Sequence, residues 1–310
     1  MTADLCYLRY EDLVREFQRG GLASRLGRGL RALAGYISDG ALRRIGFRTS
    51  VLMAGPYLVA FAPVVAFAAL SGTASGTGAA LAILMGLSAY LLLVRYRMLL
   101  VCDLFAYMRV LARGTGEYAE NHNLRLDQLQ ERVALETGAQ TLIVGHSLGG
   151  LAAIRSVAAM LERLPSDASL GLLTLGSVHG IVLAQRGAGR DRLARDIARI
   201  CADARVEWVD VTSPRDAFCV PLTDPLLQIG ADAKSGMQSP RIISAQLRNA
   251  PSIPGDRRTV FAAMRRHMGY LLAPAPGSGF DYVDTVTGTP DLGARFGDRG
   301  NSPKARMWHG

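Results

Sequence analysis

The stretch Thr141-Leu142-Ile143-Val144 followed by Gly145-His146-Ser147-Leu148-Gly149 constrains this chain more than any other. A short apolar run of this kind reads as a buried strand. Gly150-Leu151-Ala152-Ala153-Ile154 behind it reads as the start of a helix. Strand, sharp turn and helix with the pattern G-x-S-x-G make a nucleophile elbow. The turn strains the serine backbone and leaves no room for side chains two positions to either side. Ser147 Oγ is then held at the carboxyl edge of a sheet, and the Leu148 N–H is free to act as an oxyanion donor. Read alone, the same letters also fit a Gly-rich turn that merely joins two elements.

The rest of the chain supplies a sheet for that turn. The pattern from Thr141 alternates strand and helix, with strands at Thr141–Val144, Gly171–Leu175 and Val206–Val211. The intervening helices are Leu151–Arg163 and Arg190–Ala204, and a later one covers Thr259 to Leu272. Short apolar strands alternating with helices predict an α/β fold whose parallel sheet is covered on both faces. At 310 residues the chain is long enough to bury a full core.

A second feature lies upstream. Val51 to Leu70 is about twenty residues without a charge, and Ala79 to Val94 is a shorter run of about sixteen. The link from Ser71 to Gly78 is small and uncharged. A spanning helix needs roughly 20 apolar residues, so the first run qualifies and the second is marginal. Two buried core helices, or a hairpin dipping into one leaflet, are the alternatives. Arg25, Arg28, Arg31, Arg43, Arg44 and Arg48 precede the pair, and Arg95, Arg97, Arg109 and Arg113 follow it. The positive-inside bias therefore places both flanks, and Ser147 with them, in the cytoplasm.

The predicted organisation has four parts. Residues 1–48 carry an N-terminal strand at Asp4–Tyr10 and amphipathic or basic helices, and 49–101 the transmembrane hairpin. Residues 102–273 form the catalytic core, and 274–310 an irregular or disordered tail. The net charge of +9 comes almost wholly from arginine, since Lys234 and Lys304 are the only lysines. The basic residues are not interleaved with aromatics, and no nucleic-acid module is visible. With a mean hydropathy of +0.18, a membrane is the better partner. Cys6, Cys102, Cys201 and Cys219 are too scattered for a zinc site or a disulfide framework and read as buried free thiols. No cluster has metal-ligand spacing, so neither metal nor cofactor is expected.

A serine hydroxyl is a poor nucleophile without a base, and the base needs an orienting acid. After such an elbow the chain order is Ser, then Asp or Glu, then His. Thr212-Ser213-Pro214-Arg215-Asp216 leaves the carboxyl end of the Val206–Val211 strand, which puts Asp216 where the acid belongs. Asp210, inside the strand, and Asp224 are the other candidates. Of the five histidines, His267 follows the acid and is the candidate base. His146 points away from the nucleophile's direction, His179 follows the next strand and is a candidate to line the site, His122 precedes the elbow, and His309 lies in the tail.

Gly-His-Ser-Leu-Gly-Gly at 145–150, Asp216 with Val220-Pro221-Leu222 behind it, and His267-Met268-Gly269-Tyr270-Leu271 resemble the serine lipase and esterase branch of the α/β-hydrolases, and most closely the class 3 lipases. The likeness spans roughly residues 120–272. It implies a Ser147–Asp216–His267 triad, an oxyanion contact from Leu148, and hydrolysis of carboxylic esters of lipid or other apolar acyl compounds. The family's earlier strand ends in a turn that gives a second oxyanion N–H. Arg113-Gly114-Thr115 imitates that turn in letters, but a helical pattern precedes it. One reading makes Asp4–Tyr10 an early strand, the hairpin an insertion, and the oxyanion turn part of a segment upstream of Met1. The rival expectation is a hydrolase-like membrane scaffold with little or no activity.

Overall fold

A computed structural model of the chain describes residues 11–70, 76–95, 98–136, 140–231, 236–247, 260–272, 279–288, 291–297 and 301. Four parallel strands form its sheet: β1 (Gln140–His146), β2 (Ser169–Leu175), β3 (Val206–Thr212) and β4 (Arg241–Ser244), hydrogen-bonded in the order β1-β2-β3-β4. The first three fall where the apolar runs place them. β4 has only four residues, and its Arg-Ile-Ile-Ser pattern is too short to stand out. The expected strand at Asp4–Tyr10 lies outside the described residues.

The helices before the sheet are α1 (Glu11–Phe17), α2 (Leu22–Ser38), α3 (Ala41–Ile45), α4 (Phe47–Leu70), α5 (Gly76–Arg95), α6 (Met98–Arg113) and α7 (Glu117–Glu136). Within and after it come α8 (Gly149–Met160), α9 (His179–Leu183), α10 (Ala188–Ala202), α11 (Pro225–Gln228) and α12 (Val260–Met268), with a 3₁₀ turn at Gly269–Leu271. Side chains alternate across a strand, so each strand feeds two cores. Leu170, Leu172, Val206 and Trp208 face a core shared with α2, α6, α8, α9 and α10. Leu173, Leu175, Val209 and Val211 face a second core with Tyr270, Phe280, Leu292 and Phe296.

The stretch expected to be irregular contributes to that second core through α13 (Tyr282–Thr287) and α14 (Leu292–Phe296). Asp281 and Asp291 cap them by accepting from the N–H groups of Asp284 and Ala294. Buried Phe280, Leu292 and Phe296 hold them on the sheet. Each helix is under two turns, so no periodicity betrays it.

The two apolar runs form α4 and α5, which pack side by side. Their outer surfaces stay open: Leu58 is 70% exposed, Val65 67% and Ile83 73%. Among the described residues one helix is by itself long and apolar enough to cross a membrane, over Phe47–Ala66, with only 28% of that window buried. Ile83–Leu93 and Met98–Arg113 pass the same test only as a pair bent by 65°. α6, however, is a core helix. Its Asp103 accepts from Arg25 Nε at 2.8 Å, and its Arg109 pairs with Asp39 at the end of α2. At Gly29 of α2 a side chain would meet the Tyr57 hydroxyl and press on Cys102 Cβ.

Candidate active site

Ser147 occupies the turn between β1 and α8 with φ +58°, a left-handed conformation that costs a non-glycine residue roughly 1–2 kcal/mol. Its N–H donates to Leu175 O at 2.9 Å, tying the turn to the end of β2. Two glycines permit the turn. A side chain at Gly145 would run into the Gly149 carbonyl and reach 2.8 Å from Ala153 Cβ; one at Gly150 would collide with Ser177. Leu148 is the N-cap of α8, so its N–H precedes the first helical hydrogen bond and belongs to the unpaired donors of a helix start.

Asp216 sits in the loop after β3, 1% exposed. His267 lies in the last turn of α12, buried. The structure brings the two together, with His267 Nδ1 donating to Asp216 Oδ2 at 2.8 Å. Tyr270 Oη donates to the same oxygen at 3.0 Å, and the Phe218 N–H to Oδ1 at 2.9 Å. Burial pushes the Asp216 carboxyl up, but the His267 charge and these donors outweigh it, and the net direction is down. This network assigns the proton of a neutral His267 to Nδ1 and leaves Nε2 as the acceptor. Nε2 is buried and has no hydrogen-bond partner among the described residues, Ser147 Oγ included.

His146 joins the two halves of the site. Its ring lies 4.8 Å from that of His267, and its Nε2 donates to the His267 carbonyl at 2.8 Å. Burial, then the neighbouring His267, pushes its pKa down to about 4. Phe218 stacks obliquely on His267 from another side, 5.2 Å between centroids. The tight approach is visible at Gly176, φ +49°, where a Cβ would come within 3.1 Å of Asp216 Oδ2.

The other candidates are placed elsewhere. Asp210 is buried in β3, accepts from Thr174 Oγ1 at 2.6 Å, and burial raises its pKa to about 7. Asp224 caps α11. His179 is buried at the start of α9 against Trp208, and His122 bonds Tyr107. His309 and Cys6 lie outside the described residues, while Cys102, Cys201 and Cys219 are buried free thiols. Gly114 in the Arg113–Thr115 turn packs on Ala188 and Gly189 at the start of α10. Among the described residues no group of His, Cys, Asp or Glu is placed to hold a metal ion.

Tyr270 and His146 are the members that sequence reasoning did not assign to the site. The tyrosine lies three residues after His267, a spacing that returns it to the same side of a helical turn. That signal was present in the His-x-x-Tyr letters.

No family model, curated protein or solved structure matches this chain.

Proposed function

We propose that this protein is a membrane-anchored serine hydrolase of the α/β-hydrolase type, cleaving carboxylic esters of lipid or other apolar acyl compounds. The observation that carries the reading is the joint placement of a strained Ser147 and a His267–Asp216 pair at the carboxyl ends of β1 and β3. In this mechanism His267 Nε2 takes the hydroxyl proton as Ser147 Oγ attacks the ester carbonyl. The Leu148 N–H supports the oxyanion, and Asp216 keeps the imidazolium oriented. The alcohol leaves with the proton held on Nε2. Water, deprotonated by the same nitrogen, then releases the acid and restores Ser147.

The unpaired Nε2 fits a base awaiting its proton, since such hydrogen bonds are often long before substrate binds. The α4–α5 pair is proposed as the anchor, because Leu58, Val64, Val65, Ile83 and Leu84 would otherwise expose a broad apolar face to water. Arginine placement favours a cytoplasmic catalytic domain, so a reporter fused after Gly116 is expected to read as cytoplasmic. A periplasmic or luminal reading there defeats that topology. Fluorophosphonate labelling of the purified protein tests the chemistry: wild type is labelled and Ser147→Ala is not. Absence of Ser147-dependent labelling, also in an N-terminally extended chain, favours the scaffold reading.

A further inference from the structure

The His267–Asp216 pair is flanked by three arginines. Arg215 precedes Asp216, and Arg266 precedes His267. Arg48 lies in the first turn of α4, and the next residue, Thr49, donates its hydroxyl to the Cys219 carbonyl at 3.3 Å. That bond seats the foot of α4 on the loop that carries Asp216. Arg48 and Arg215 are exposed, and Arg266 is half-buried.

Nothing among the described residues neutralises them. Nine other arginines form ion pairs, but these three form none. Asp216, whose charge acts on Arg266, is already taken by His267, Tyr270 and the Phe218 N–H. The charges feel one another. Burial lowers the Arg266 pKa, Asp216 raises it, and Arg48 and Arg215 lower it further. Like charges held together without a partner oppose the folded state, a cost that a bound anion removes. Guanidinium forks also match the oxygens of phosphate and carboxylate.

The location narrows the anion. Phe47, beside Arg48, is 83% exposed, and the apolar surface of α4 continues from there. Uncompensated positive charge and lipid-facing surface therefore meet at one place, as an amphiphile with an anionic head requires.

We propose that Arg48, Arg215 and Arg266 form an anion subsite at the mouth of the catalytic site, so that its preferred substrates are acyl esters bearing a phosphate or other anionic headgroup. This assignment rests on the serine hydrolase reading and gives it a substrate class. The headgroup anion docks on the arginines, and the acyl chain lies toward α4.

The test uses the full chain as Ser147→Ala in neutral detergent, with dihexanoyl phosphatidylglycerol and dihexanoyl phosphatidylcholine below their micellar concentrations. Calorimetric titration is expected to give at least about tenfold tighter binding of the anionic lipid, weakening with salt. R48Q/R215Q/R266Q is expected to lose the preference, and R48K/R215K/R266K, which guards against misfolding, to keep most of it. Equal affinity for the two lipids, or a preference that survives the glutamine triple, overturns the proposal. A second arm adds non-hydrolysable ether-linked phosphatidylglycerol to vesicles of a neutral ester. Faster turnover there, with no preference for the monomeric anionic lipid, assigns the arginines to bilayer phosphates and overturns the substrate assignment. Turnover that persists in Ser147→Ala refutes the hydrolase reading and leaves the binding result standing.

Discussion

Tyr270→Phe removes one atom from the candidate site and has consequences that can be worked out. The Tyr270 hydroxyl is buried and donates to Asp216 Oδ2, the oxygen that also holds His267. Phenylalanine keeps the ring in place and removes the hydroxyl's hydrogen bond to a buried carboxylate, together with its contact to the Cys219 thiol. Such bonds contribute about 1.5–3 kcal/mol. The remaining donors, His267 Nδ1, the Phe218 N–H and the weaker Cys219 thiol at 3.4 Å, still favour the charged form of Asp216. The labelling rate at pH 8 is therefore expected to fall by less than about tenfold, in contrast to the orders of magnitude expected for Asp216→Asn. The larger effects lie in stability and in acid. Because the Asp216 pKa is depressed in the folded protein, its stabilisation is complete above the unfolded carboxylate value and disappears as pH falls through the folded one. Losing the tyrosine donor raises the folded pKa, so that loss begins at higher pH. Thermal unfolding at pH 7 should come about 3 °C earlier, taking roughly 2 kcal/mol and a chain of this size. The acid limb of the fluorophosphonate labelling profile should move upward. An unchanged melting temperature together with an unchanged acid limb would refute the idea that Tyr270 supports the carboxylate.

Gly145→Ala should abolish Ser147 labelling and cost about 1–3 kcal/mol, because the new methyl meets the Gly149 backbone carbonyl and Ala153, neither of which can swing aside. Gly86→Ala on α5 meets nothing within 4 Å and serves as the neutral control. Burial holds His122, His146 and His179 each down at about 4, so between roughly pH 6.5 and 4 the unfolded chain binds more protons than the folded one. Their stabilisation is full above that window and lost as pH falls through it, by up to about 1.4 kcal/mol per pH unit for each histidine. Melting temperature measured across that range should drop steeply, with a shallower slope in His122→Gln; a flat profile contradicts the buried neutral rings.

The elements around Ser147 could be read from local pattern because each contains its own signal. β1 to β3 are apolar runs that a sheet covered on both faces requires, and α8 and α10 carry helical periodicity between them. Elements of four to six residues, such as β4, α9, α11, α13 and α14, have no room for a period and depend on tertiary contacts. The pairing of Asp216 with His267 crosses 51 residues, and local pattern offered only a loop and a chain order. His146 shows where that logic runs out. Alternation along a strand sends its side chain away from Ser147, and by local reasoning that removes it from the site. The face it turns to is where the end of α12 arrives, so the ring meets the His267 carbonyl. In the proposed mechanism Ser147 and His146 therefore serve one histidine from successive positions of one turn, the first as the nucleophile and the second through the backbone carbonyl of His267. A residue that local strand geometry sets aside is thereby bonded to the backbone of the proposed base.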